Sequence, residues 1–261
     1  MALVFVLWYS VAYFASIVSS TQAIECQGTA RYTLTFLGEW TSQSHQHFPI
    51  SAHFSTLVGC SHKTSYVMWT PGIKATTGVK DVAELGITGA LNSEMDNEIN
   101  LKKAYKRYQR IVFSGGTGTT LIPNIEVNSE YPLVSFITMI APSPDWFVGV
   151  HDYNLCNTTT GKWLDSRTRD LPPYDAGTDS GPNFDSRDQI TNPKENIHLL
   201  TNNTEGSFKG DKPVRRFGTF TFAQTYFNPA TIQPPSNTGA ACSVKQLGYV
   251  VFAMILVNFC L

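Results

Sequence analysis

Hydrophobic and polar residues alternate along two long segments of this chain. In residues 29–40, Tyr32, Leu34 and Phe36 alternate with polar residues. In residues 217–227, Phe220, Phe222 and Tyr226 lie opposite threonines. A period of two places successive side chains on opposite faces of a strand, so both segments are predicted to be half-buried β-strands. Aromatic and β-branched runs that end at proline or glycine predict further strands at residues 66–70, 132–140 and 146–150.

One segment has a helical period instead. Leu91, Met95 and Ile99 recur at every fourth residue, which would place them on one helix face directed towards the sheet. Ser93 is predicted to cap this helix at its start. The basic residues within 102–110 are expected in its last turns, where positive charge suits the helix dipole.

The predicted elements form one domain at residues 24–227. A second, shorter helical turn is predicted at residues 79–85, and no repeat or low-complexity linker interrupts the domain. Many strands, turn residues between them and only one or two helices favour a mainly β protein with a β-sandwich. Residues 228–246 are rich in proline, serine and glycine, which predicts a stalk and spacer.

Both ends of the chain are predicted to be targeting segments. Residues 1–23 are apolar and end in small residues, as in a secretory signal peptide, with an uncleaved anchor as the alternative. Residues 247–261 are apolar and follow small residues and a polar spacer, which is typical of a glycosylphosphatidylinositol (GPI) attachment signal. A retained tail anchor and simple secretion stay open. We therefore expect an extracellular protein, secreted or tethered to the outer face of the plasma membrane.

Composition and motifs exclude several function classes. The formal net charge is −1, from 19 Lys+Arg and 20 Asp+Glu, and such a balance argues against nucleic-acid binding. The sequence contains no nucleophile elbow, phosphate-binding loop or dinucleotide-binding motif, so no enzymatic activity is predicted.

Cysteines and glycosylation motifs agree with an extracellular compartment. The five cysteines are scattered, which excludes a CxxC metal or redox motif and predicts one or two disulfides. Asn157 and Asn202 each begin an Asn-x-Thr triplet, so both are predicted N-glycosylation sites.

Five basic residues lie within nine positions and form what we call the basic cluster. Such a cluster attracts sulfated glycosaminoglycans or anionic lipids, but it also suits the solvated end of a helix. The second interpretation is favoured. The members are Lys102, Lys103, Lys106, Arg107 and Arg110.

Three aspartates lie in loops rich in proline and glycine, at Asp145, Asp175 and Asp179. Calcium takes six to eight oxygen ligands, which carboxylates on neighbouring loops supply. The Ala-Gly-Thr segment between Asp175 and Asp179 allows both carboxylates to turn towards one ion. On residue types alone, however, aspartates in such loops are more often turn formers than ligands.

Several segments of the chain resemble the spondin domain, and together they span about residues 26–227. The most specific are Ser-Pro-Asp-Trp at 143–146 and Asp-Ala-Gly-Thr-Asp-Ser-Gly at 175–181. The full set comprises residues 28–32, 36–40, 79–86, 142–149, 155–156 and 175–181.

This resemblance implies an antiparallel β-sandwich related to C2 domains, as found in secreted matrix and adhesion proteins, with a Ca²⁺ ion held between loops. The metal-binding aspartates of the family correspond to Asp145, Asp175 and Asp179. The preferred disulfide joins Cys26 to Cys156, with a pair between Cys26 and Cys242 as the competitor.

Cys60 has no counterpart in the family pattern. It is expected to be either a buried free thiol or the partner of Cys242.

We therefore expect an extracellular calcium-binding module for cell adhesion or matrix recognition, whose partner is a cell-surface receptor or a matrix component. The alternative is a C2-like module that binds lipid or glycosaminoglycan in the presence of calcium. In that case the ion itself would contact the anionic group.

Overall fold

Two antiparallel sheets make up the fold of residues 23–230, which are the residues described by the computed structural model. The four-stranded sheet has the order β10-β13-β1-β5, formed by Ser166–Asp170 (β10), Gly218–Asn228 (β13), Thr29–Glu39 (β1) and Thr117–Asn128 (β5). The seven-stranded sheet has the order β12-β11-β7-β6-β3-β4, formed by His198–Leu199 (β12), Tyr174–Asp175 (β11), Trp146–Asn154 (β7), Leu133–Ala141 (β6), Leu57–His62 (β3) and Ala104–Arg110 (β4), with His53–Phe54 (β2) paired to β6. A small hairpin joins Cys156–Asn157 (β8) to Lys162–Trp163 (β9).

Aromatic side chains from both sheets fill the space between them. Phe36 and Phe220 of the smaller sheet pack edge to face with ring centroids 5.1 Å apart. Phe222 lies 6.0 Å from Phe136 of the larger sheet, and all four rings are fully buried. Truncating one such ring to alanine typically costs about 3–5 kcal/mol of stability. The predicted β-sandwich is confirmed, and so are the two strands predicted from alternation.

A bulge in β13 changes one detail of the predicted alternation. Arg31 pairs with Tyr226, whereas the next residue, Tyr32, pairs with Gln224, so β13 carries one extra residue at this point. A bulge reverses the faces of the side chains beyond it. The alternation predicts Tyr226 on the same buried face as Phe220 and Phe222. Its side chain is instead 47% exposed, and its ring packs against the Arg31 guanidinium at 4.9 Å.

Two helices, α1 (Thr77–Leu85) and α2 (Gly89–Asn100), cover the outer face of the larger sheet. Leu91 and Met95 of α2 are fully buried there, as their spacing predicts, and Val79 of α1 packs in the same cluster. Because the larger sheet is covered on both faces, β6 is buried at every position. A short 3₁₀ turn at Gly206–Phe208 completes the helical elements of the described residues.

The sequence-based prediction of where α2 begins and ends is wrong at both ends. Ser93 lies inside α2, where its hydroxyl donates to the Gly89 carbonyl, and the N-cap position belongs to Thr88. The helix ends at Asn100, and the basic residues that follow lie on edge strand β4 and the turn before it. Pairing with β3 determines this conformation, since it allows the Tyr108 ring to stack on Phe136.

The strand predicted at residues 66–70 is also absent: this segment is a loop. Met68 and Trp69 are buried by packing over the outer face of the sheet, without strand pairing, whereas Val67 is exposed. Trp69 is fully buried, packs edge to face on Phe147, and donates from Nε1 to the Phe136 carbonyl at 3.4 Å.

The structure joins Cys26 to Cys156 by a disulfide, the pair that the family resemblance implies. Cys60 is buried on β3, where it forms no disulfide with any described residue and burial raises its pKa. Cys242 lies outside the described residues. So do the predicted signal peptide, stalk and tail, apart from residues 23 and 228–230. Within residues 23–230, no helix combines the length and apolar character needed to cross a bilayer.

Candidate metal site

Strand pairing brings two of the three predicted aspartates together. Asp145 immediately precedes β7, and Asp175 is the last residue of β11, which pairs with the start of β7 through Trp146. Asp179 follows four residues later and forms an isolated bridge with Ile190, so it belongs to the loop that leaves β11. The three residues therefore lie at one end of the larger sheet.

Asp145 is fully buried and only one of its carboxylate oxygens is satisfied. Its Oδ2 accepts hydrogen bonds from the Thr178 amide (2.7 Å), the Thr178 hydroxyl (3.1 Å) and the Asp179 amide (3.0 Å). Its Oδ1 has no hydrogen-bond partner among the described residues. Burial and the neighbouring charge of Asp175 raise the pKa of Asp145 to about 7. A buried acceptor without a partner is uncommon, because it loses water and gains nothing.

Asp175 faces the same interior. Its Oδ2 accepts from the Trp146 indole at 3.2 Å, and its Oδ1 accepts from the Gly177 amide at 2.7 Å. Burial raises the pKa of Asp175, although the Gly177 hydrogen bond and the charge of His198 oppose this shift. The His198 Nδ1 lies 4.0 Å from Oδ1. Within the described range, no Lys or Arg nitrogen comes within 4.0 Å of any of the three carboxylates.

Asp179 uses both carboxylate oxygens to shape its own loop. Oδ1 accepts from the Gly181 amide at 2.8 Å, and Oδ2 accepts from the Gln189 amide at 3.0 Å. Its backbone amide holds Asp145, so the loop and the buried carboxylate are directly linked. The described part of the chain contains no group of three or more His, Cys, Asp or Glu side chains arranged to hold a metal ion.

The donor atoms nevertheless fit a hard divalent cation. Asp145 offers a buried carboxylate oxygen with no partner among the described residues, next to the partly buried carboxylate of Asp175. Carboxylate oxygens, completed by carbonyl groups and water, are the ligands that calcium takes. A cation at this point would satisfy the free oxygen of Asp145 and remove its repulsion with Asp175.

Two residues that the sequence analysis did not single out hold these aspartates in place. Thr178 donates twice to Asp145, and the Trp146 indole donates to Asp175. Both stand directly beside the predicted aspartates in the two most specific segments of the sequence. Their adjacency to predicted ligands is the signal that would have identified them.

The basic cluster is largely paired with acidic residues. Lys103 lies 3.4 Å from Glu98 and Lys106 lies 3.1 Å from Glu126. Arg107 lies 2.6 Å from Asp96. Lys102 and Arg110 form no ion pair with a described residue. The cluster lies along β4 and the preceding turn, and it does not form the end of a helix.

The two predicted glycosylation sites lie in turns. Asn157 opens the turn of the small hairpin, where its Oδ1 accepts from the Thr159 amide at 3.0 Å. Asn202 donates from Nδ2 to the Gly210 carbonyl at 3.1 Å. Whether either residue carries a glycan stays a prediction.

Comparisons with known proteins agree with the segments singled out above. A family model described as Spondin_N matches residues 30–210. Spondin-1 of Gallus gallus is 37% identical over 185 residues, which cover 67% of this chain and 22% of that protein. Spondin-2 of Rattus norvegicus is 33% identical over 221 residues, which cover 79% of this chain and 65% of that protein. For spondin-2 of Homo sapiens the identity is 35% over 180 residues, with 67% and 54% covered. The aligned region is therefore less than two thirds of each of these relatives.

Proposed function

Because the chain belongs to the spondin family, an extracellular matrix and adhesion type of module, we propose that it is a recognition module stabilised by calcium. One Ca²⁺ ion would bind to Asp145 and Asp175, with Asp179 contributing as the family resemblance implies. Its partner would be a cell-surface receptor or a matrix component.

The free Oδ1 of Asp145 is the observation that carries the proposal. This oxygen is buried, has no partner among residues 23–230 and lies beside the partly buried carboxylate of Asp175. Two such carboxylates repel each other unless a proton or a cation lies between them. At extracellular pH, a calcium ion supplies that charge without requiring a proton.

The ion would act on recognition by fixing loops. Asp145 holds the amides of Thr178 and Asp179, and Asp179 holds those of Gly181 and Gln189. A cation that fixes the Asp145 carboxylate therefore also fixes the loop that leaves β11. Loops on a rigid sandwich are where binding residues concentrate.

Calcium titration of the mature protein by isothermal calorimetry tests the ligands. We expect saturable binding in the wild type and its loss in Asp145→Asn, which keeps the shape of the side chain but removes its charge. The matched control is Asp188→Asn, an exposed aspartate in the same loop region, which should bind calcium normally. A wild type that binds no calcium, or an Asp145→Asn variant that binds it unchanged, would reject the site.

The alternative function, calcium-dependent lipid or glycosaminoglycan binding, is supported by one observation. Ile190 is 84% exposed on the loop that carries Asp179, where it is available for contact with a membrane. Sedimentation with phosphatidylserine vesicles, and retention on heparin, separate the two functions when each is measured with calcium and with chelator. Cell attachment without calcium-dependent vesicle or heparin binding favours the receptor module.

A further inference from the structure

A cavity of about 290 Å³ opens at the end of the sandwich that carries the three aspartates, but none of these aspartates lines it. One wall is the loop after β1, at residues 42–46, and the other is the loop before β13, at residues 210–217. Phe184 and Phe208 lie between the two walls. The volume is near the lower limit for small-molecule sites, which suits a ligand of about one ring.

The two walls are held together by His45. Its ring packs on Phe217 with centroids 4.4 Å apart, and its Nε2 lies 3.3 Å from the carbonyl oxygen of Arg215. Its Nδ1 lies 2.8 Å from the Ser44 hydroxyl, which is itself fixed by hydrogen bonds to Thr41. The pocket is therefore preformed, and a ligand would lose little affinity to ordering it.

The lining combines aromatic, neutral polar and positively charged side chains. Phe184 and Phe208 form an apolar base of aromatic rings, and Phe217 supports it from a fully buried position against His45. Neutral polar side chains at the mouth, such as Gln43 and Gln46, form no hydrogen bond with any residue in the described range. They are free to bind a ligand with several hydroxyl groups.

The charge of the pocket has one sign. Lys212 and Arg215 both line it, and neither forms an ion pair with a described residue. Among residues 23–230, no aspartate or glutamate lines the pocket. The neighbouring Arg216 differs, because its guanidinium is neutralised by Glu39 and Asp170. Free cations next to neutral hydrogen-bonding groups suit a ligand that is both hydroxylated and anionic.

We propose that this pocket binds a single anionic sugar residue, with the carboxylate or sulfate group at Lys212 and Arg215. The hydroxyl groups would face the glutamine amides, and a C–H face of the ring would lie over the phenylalanines. The site is separate from the basic cluster on β4, whose charges are mostly neutralised by acids on the protein itself.

Saturation-transfer NMR titrations of the mature protein test the proposal with defined sugars. The probes are glucuronic acid, N-acetylneuraminic acid and glucosamine 6-sulfate, with glucose as the neutral control. We expect the best acidic sugar to bind at least about tenfold more tightly than glucose, because its anion contacts two cations. The carboxylated and sulfated probes show which anion the site prefers.

Two variants and a charge-matched control locate the binding. Lys212→Gln with Arg215→Gln should reduce the affinity for the acidic sugar to that of glucose. Ser42→Trp, a change at an exposed residue of the mouth, should block all sugars. Lys102→Gln with Arg110→Gln removes the same net charge elsewhere and should leave the affinity unchanged.

Three results would overturn the proposal. They are equal affinity for glucose and the acidic sugars, unchanged binding by the Lys212 and Arg215 double variant, and no saturable signal from any probe. The circular dichroism spectrum of each variant shows whether it is folded, so that a loss of binding is not mistaken for unfolding.

Discussion

At the scale of single residues, Asp145 combines full burial with incomplete hydrogen bonding. Oδ2 accepts three hydrogen bonds, yet burial and the charge of Asp175 still raise its pKa to about 7. In the absence of a cation, the carboxyl group therefore keeps its proton far above the ordinary range of an aspartate, up to about pH 7. A calcium ion would replace the proton, so proton and metal are expected to compete for the same oxygen.

This competition predicts how the calcium-free protein responds to pH. The unfolded Asp145 ionises near the ordinary pKa of 3.8, whereas the folded residue holds its proton up to about pH 7. The folded state thus binds more protons than the unfolded state between pH 4 and pH 7. The free energy of unfolding therefore falls as pH rises through this range, by at most about a few kcal/mol. Urea unfolding in chelator across this range measures the effect.

The control for this pH dependence is Asp145→Asn, which cannot ionise at that position. Its stability should change less between pH 4 and pH 7 than that of the wild type. Added calcium should stabilise the wild type more at pH 8 than at pH 5. An equal pH dependence in both proteins would show that Asp145 does not hold the proton.

At the scale of elements, the sequence predicts the strands and helices whose own residues show the hydrophobic period of that element. Strand β1 alternates because one face lies in the core and the other faces solvent, and α2 shows its buried face through Leu91 and Met95. Strand β4 has no such pattern, since its conformation depends on pairing with the distant β3. From sequence alone, a run of charged residues after a helix is therefore wrongly predicted to continue that helix.

The candidate site follows the same distinction. The aspartates are recognisable from short motifs, and the structure places Asp175 close enough for its charge to raise the pKa of Asp145. The free oxygen of Asp145 could not be predicted, because it results from which amides the folded loop presents. The pocket between residues 42–46 and 210–217 was also missed, since its walls are far apart in the sequence.

The β4 assignment gives a stability prediction that distinguishes a strand from a helix. Tyr108 stacks on Phe136, and its hydroxyl oxygen accepts from the Glu126 amide at 2.8 Å. Tyr108→Ala should therefore destabilise the protein by about 2–4 kcal/mol, as for other large-to-small changes at packed sites. Arg110→Ala, at an exposed position of the same strand, should change stability by less than about 0.5 kcal/mol. Chemical denaturation measures both, and equal small effects would contradict the packing of β4.

At the scale of the whole described domain, the two ends of the sandwich carry different structural features. The start of β7 pairs with the end of β6 near the aspartates, whereas Asn154, at the other end of β7, pairs with Leu133. Cys156 follows there, and Thr29 pairs with Asn228 where the chain enters and leaves the sheet. The aspartates and the pocket therefore lie at the end opposite the disulfide.

This separation predicts that stability and calcium binding can be changed independently. The disulfide joins Cys26 and Cys156, which are 130 residues apart. By reducing the conformational entropy of the unfolded chain, it should stabilise the folded protein by about 5 kcal/mol. Replacing both cysteines with alanine should lower the free energy of unfolding by up to that amount. The variant that remains folded at low temperature should bind calcium with the wild-type affinity, because the sheet between the two ends is unchanged. Thermal unfolding and calcium calorimetry on the same sample measure the two quantities, and an affinity that fell together with stability would show that the two ends are coupled.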